Sequence, residues 1–75
     1  MTYPRLRNLR EDGELLQKDL AAYLGVAQTT YSNYEIGERE VPIPVLIKLA
    51  NYYHTSVDYL LGLTAVRKPY PREGE

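Results

Sequence analysis

The sequence predicts an all-α fold, a compact bundle of five short helices, and three observations carry that prediction. Apolar residues recur at helical spacing, as at Leu46, Leu49, Ala50 and Tyr53. Gly13, Gly25, Gly37 and Gly62, with Pro42 and Pro44, punctuate the chain into helix-length segments. The length is 75 residues with no cysteine, so one small apolar core must suffice without a disulfide or a thiolate zinc site. A helical bundle is the economical way to build it.

Pro4 suits a first helical turn, where its missing N–H is no loss, and the helix it opens carries Leu6, Leu9 and Arg10 on one face before Gly13 stops it. Arg10 lies one turn after Leu6, on the side expected to face the core. Either it meets a buried carboxylate, or its aliphatic stem lets the guanidinium reach solvent.

The second helix runs to Leu24 with Leu16, Leu20, Ala21 and Leu24 at helical spacing and Gln17, Lys18 and Asp19 in its first turn. Gly25 can take a positive φ and turn the chain sharply, and Val26 anchors the turn. Two short helices joined by such a turn predict a helix-turn-helix, although a plain helical hairpin uses the same glycine chemistry.

The third helix opens at Gln28. At about 100° per residue, Gln28, Thr29, Ser32 and Asn33 share one polar stripe, opposite Ala27, Thr30, Tyr31 and Tyr34. Each stripe residue is short, uncharged and able to hydrogen-bond, which suits the base edges of a DNA major groove. The same pattern describes an ordinary amphipathic surface helix.

After Gly37 comes a charged loop, Glu38-Arg39-Glu40, and then Pro42 and Pro44 forbid helix continuation, although Pro44 can sit in the first turn of the fourth helix. Thr55 and Asp58 are spaced as a capping box for a short fifth helix ending at Leu60, Leu61 and Gly62. Among the eight tyrosines, Tyr23, Tyr31, Tyr34 and Tyr53 are expected in the core. Residues 1–64 are expected to form the domain and 65–75, with two prolines, mixed charge and no apolar period, a flexible tail. That tail could instead link to a further region or place Arg67 and Lys68 on phosphate.

The charge balance, nine basic against ten acidic residues, is not that of a strongly nonspecific nucleic-acid binder, so any contact with DNA must be local. The single histidine, His54, has no second histidine or cysteine to build a usual zinc site and no serine-histidine-acid pattern around it. An enzyme, a metal, a cofactor and a small-molecule ligand are therefore not expected. The absence of an apolar leader or spanning run leads to the expectation of a cytoplasmic protein with no membrane partner.

The runs Leu9-Arg10-Glu11, Leu15-Leu16-Gln17-Lys18-Asp19-Leu20-Ala21, Leu24-Gly25-Val26-Ala27-Gln28 and Tyr34-Glu35-Ile36-Gly37-Glu38-Arg39 resemble the phage repressor and Cro (lambda repressor-like, XRE) helix-turn-helix family. Leu46 to Ala50 and Ser56 to Gly62 extend the likeness, which covers about Leu6 to Thr64.

The resemblance implies a double-stranded DNA partner, a two-fold-symmetric operator and a homodimeric repressor with its third helix in the major groove. Carried over by position, it makes Gln28, Thr29, Ser32 and Asn33 base readers. Gln17, Lys18 and Arg39 become phosphate contacts, Arg39 otherwise being a solvated charge. It also pairs Arg10 with Glu35 as a structural ion pair. Tyr59, Leu61 and Leu63 are candidates for the contact between copies, or else complete the core.

Two departures from the family pattern stand out. Leu16 and Ala27 replace the usual Ser or Thr before the second and third helices, which removes two side-chain caps worth about 1 kcal/mol each. The third helix also carries no Lys or Arg. That neutral helix leaves a second class open, a protein-interaction or antitoxin-like module that keeps the fold as a scaffold.

Overall fold

A computed structural model of the chain describes residues 2–69. Among these there are five helices and no strand: α1 (Pro4–Asp12), α2 (Gln17–Leu24), α3 (Gln28–Ile36), α4 (Ile43–Tyr52) and α5 (Val57–Leu61). Every helix sends its apolar stripe into one core. Leu6 and Leu9 come from α1, Leu20 and Leu24 from α2, Tyr31 and Tyr34 from α3, Leu46 and Leu49 from α4, and Leu60 from α5. Full burial of a leucine side chain stabilises by about 1.5–3 kcal/mol. In so short a chain these side chains carry most of the driving force. α3 packs against α2 and α1, and α5 packs against α1 and α4. Among its helix neighbours, α2 packs chiefly on α3.

The turn between α2 and α3 is built as the glycine suggests. Gly25 has φ 72°, and Val26 N–H bonds to Ala21 O at 3.0 Å across it. A side chain at position 25 would meet nothing within 4 Å, so the demand for glycine there is one of backbone conformation alone. The end of α1 is built differently. Gly13 closes the helix at φ −83°, and the left-handed residue is Glu14, at φ 55°. The reversal falls one residue past the glycine, on an exposed side chain that needs no buried space.

Three expectations from the sequence are corrected. Tyr23 is not a core residue. It is 43% exposed, its hydroxyl donates to Lys48 O, and its ring lies 4.6 Å from that of Tyr52. It sits at the edge of the α2 stripe, where a long amphipathic side chain can pack its ring and keep its tip wet. Tyr53 is only half-buried, although its hydroxyl is enclosed. The cap of α5 is Ser56 rather than Thr55: Ser56 Oγ accepts from Tyr59 N–H at 3.1 Å, and the Thr55 hydroxyl donates to Arg67 O. Both residues have cap chemistry, and the chain places the second at the helix start.

Residues 65–69 lie outside the helices, and the Thr55 bond to Arg67 O ties them to the bundle. The remainder of the expected tail, 70–75, lies outside the described residues.

Candidate nucleic-acid interface

The α3 helix has two contrasting faces. Tyr31, Tyr34 and Glu35 are buried, Ser32 and Asn33 are half-buried, and Gln28 and Thr29 are exposed. The side chains of Gln28, Thr29 and Ser32 make no hydrogen bond within the described residues, so their donors and acceptors remain available. Neither Leu16 nor Ala27 supplies a side-chain cap to its helix. For α2 the loss is partly offset, because Asp19 Oδ2 accepts Leu16 N–H at 2.8 Å.

A buried polar network fixes the inner side of α3. Arg10 Nε donates to Glu35 Oε2 at 2.7 Å and Arg10 Nη2 donates to Oε1 at 3.1 Å, a two-pronged pair joining α1 to the end of α3. Arg10 Nη1 also donates to Leu15 O at 3.0 Å, which holds the loop ahead of α2. Gln17 Nε2 donates to Glu35 Oε1 at 3.2 Å, so one carboxylate ties three helices together.

Burial alone would raise the Glu35 carboxyl. The hydrogen bonds from Arg10 and Gln17 and the neighbouring Tyr31 hydroxyl outweigh burial and hold it below the ordinary carboxylate range. The hydrogen bond to Glu35 correspondingly raises the Arg10 guanidinium. Burial, and then the Glu35 charge, pushes the Tyr31 hydroxyl up, and that hydroxyl has no hydrogen bond of good geometry.

An ionised carboxylate only accepts, so the Gln17 amide must turn its nitrogen inward. One N–H and the carbonyl oxygen then remain free at the start of α2, where the helix dipole favours an anion. Lys18 is exposed beside it, with the acidic Asp19 in the same turn.

Arg39 follows the C-terminus of α3. Gly37 takes φ 82°, and the N–H groups of Gly37, Glu38 and Arg39 all reach Asn33 O. The loop is thereby fastened to the helix, and the Arg39 side chain is exposed.

The three residues considered for contact between copies fall into different settings. Leu63 is 73% exposed, Leu61 is half-buried against the core, and Tyr59 has the Arg5 guanidinium 3.9 Å from its ring centre. Arg5 also donates to Tyr59 O and Thr64 O, so it clamps the first turn of α1 onto the end of α5.

Sequence reasoning passed over Ile36. It ends α3, is 58% exposed, and falls within the angular range of the polar stripe. Counting on around the helix from Ser32 would have found it.

The family model described as Helix-turn-helix matches residues 6–60, which spans α1 to α5 almost entirely. The chain belongs to the helix-turn-helix family, of the phage repressor and Cro type. Among family members it is 43% identical over 60 residues to the uncharacterized HTH-type transcriptional regulator YobD of Bacillus subtilis (strain 168), covering 80% of this chain and 54% of that protein. It is 39% identical over 64 residues to the HTH-type transcriptional regulator ImmR of the same organism, covering 85% of this chain and 50% of the relative. The crystal structure of a transcriptional regulator from Listeria innocua superposes with a TM-score of 0.73 at 33% identity, covering 89% of this chain and 61% of that one. The chain thus spans about half the length of the first two relatives.

Proposed function

We propose that this chain binds double-stranded DNA in a sequence-specific manner and regulates transcription as a repressor, with α3 lying in the major groove. The observation that carries the reading is the exposed face of α3. The side chains of Gln28 and Thr29 make no hydrogen bond within the described residues, on a helix whose opposite face is locked by the Arg10–Glu35–Gln17 network. A helix held this firmly from behind can present amide and hydroxyl groups to base edges without rearrangement.

Gln28 reads adenine through its amide, Thr29 and Ser32 read neighbouring positions, and Asn33 lies at the flank. Gln17, Lys18 and Arg39 meet phosphates on either side of the groove. The family relation supports the DNA partner, since the matched relatives are transcriptional regulators by name. The likeness to phage repressors supports repression.

One small domain reads few base pairs, so two copies are taken to occupy a two-fold-symmetric operator with half-sites about one helical turn apart. Leu63 is the most accessible of the residues for that contact. As a member of a family of DNA-binding regulators, the protein is assigned to the cytoplasm.

Selection of bound sequences from a pool of random duplex DNA tests the reading. The wild type should enrich a two-fold-symmetric site, and Gln28→Ala should relax one base pair per half-site at a cost of about 1–3 kcal/mol while melting at the wild-type temperature. Failure to bind DNA even at low salt would overturn the proposal and favour a protein partner.

A further inference from the structure

The outward face of α3 carries one residue that cannot hydrogen-bond. At about 100° and 1.5 Å per residue, Ile36 lies about 40° around the helix from Ser32 and about 20° from Thr29, roughly 6 Å beyond Ser32 along the axis. It therefore falls in the middle of the polar stripe, and at 58% exposure its side chain is not needed by the core. Helical Cα–Cβ bonds tilt toward the N-terminus, so the side chain leans back over the Ser32 and Asn33 turn. Past it the chain turns at once at Gly37, and Arg39 is fastened to Asn33 O.

We propose that Ile36 is a specificity-determining residue that selects a thymine by apolar contact with its C5-methyl group, an inference that rests on the DNA-binding reading above. Every base presents hydrogen-bonding groups at its major-groove edge, and thymine alone adds a methyl. An isoleucine pressed against a polar edge strips water from it and returns no hydrogen bond, which disfavours every base but thymine. The neighbouring hydroxyls and amides can adapt to several edges; Ile36 cannot.

The test uses the site recovered by selection with the wild-type protein. Each thymine of one half-site is replaced in turn by deoxyuridine, which deletes the methyl and keeps the pairing and the O4 acceptor. Affinity is then measured for wild type and for Ile36→Ala. At one thymine, the methyl deletion should weaken the wild type about fourfold, the worth of one buried methyl-sized group, and leave Ile36→Ala unchanged. Ile36→Val, which keeps a branched apolar tip, should retain the wild-type preference at that position.

Uracil tolerated at every thymine by the wild type, or equal sensitivity in wild type and Ile36→Ala, overturns the role of Ile36 and leaves DNA reading by Gln28 standing. A selected half-site that holds no thymine on either strand overturns it as well. No selected site at all removes the DNA reading and this inference with it.

Discussion

Two arginines on α1, five residues apart, fasten the bundle in opposite ways. Arg10 is nearly enclosed and spends its charge on a buried carboxylate. Arg5 is half-exposed and spends its charge on two carbonyl oxygens and the face of Tyr59. The difference lies in what each leaves behind when it is broken. Loss of one member of a buried ion pair strands the other charge, which costs far more than the pair contributes. Loss of Arg5 strands only carbonyl oxygens that water can reach.

The largest effect should therefore follow Glu35→Ala. It leaves the Arg10 guanidinium and the Gln17 amide without the carboxylate they share, and a loss of about 3 kcal/mol is expected in chemical denaturation at neutral pH. Coincidence of the mutant and wild-type curves would show that the pair is dispensable.

Acid should act on the same carboxylate more gently, because protonation removes its charge but keeps the side chain in place. The folded Glu35 lies below its ordinary value of 4.5, so the folded state binds its proton less readily than the unfolded chain. Its stabilisation is fully present above the ordinary value and is lost as the pH falls through the depressed folded value. Melting temperatures taken downward from pH 5 should fall for the wild type. With the pair replaced by Arg10→Met and Glu35→Leu together, the fall should be shallower.

The smallest effect should follow Arg5→Ala, about 1 kcal/mol from the lost ring contact and the lost hydrogen bonds at a partly solvated site. It contacts two carbonyl oxygens and the face of a ring rather than a carboxylate, so the deficit should be the same at pH 7 and pH 4. A deficit as large as that of Glu35→Ala would erase the contrast between the two ends of α1.

These regions also differ in how far the sequence exposes them. The α2–α3 unit is legible because its signals are local. Gly25 and Gly37 sit where left-handed residues close helices, and the 100° period separates Gln28 and Thr29 from Tyr31 and Tyr34. The Arg5 clamp is not legible, since carbonyl oxygens and a ring face belong to no residue pattern. Nor is the Gln17 bond to Glu35, which depends on how closely α2 approaches the end of α3.

Tyr23 shows the limit of periodicity in a short helix. Its position is at the stripe edge, and only the placement of Tyr52 on α4 decides that its ring packs, tilted, outside the core. Ser56 and Thr55 illustrate a different limit, for two adjacent hydroxyls meet the chemical demand of a cap and only the backbone selects between them.

That the side chains of Gln28 and Thr29 make no hydrogen bond among the described residues bears on how such a chain can change over generations. Most substitutions erode a small stability margin, and those that do not are free to accumulate. Exchanges at these two positions leave the Arg10–Glu35–Gln17 network and the packed tyrosines untouched. On the proposed reading, a lineage could therefore drift from one target sequence to another by single steps, each a working protein of unaltered stability.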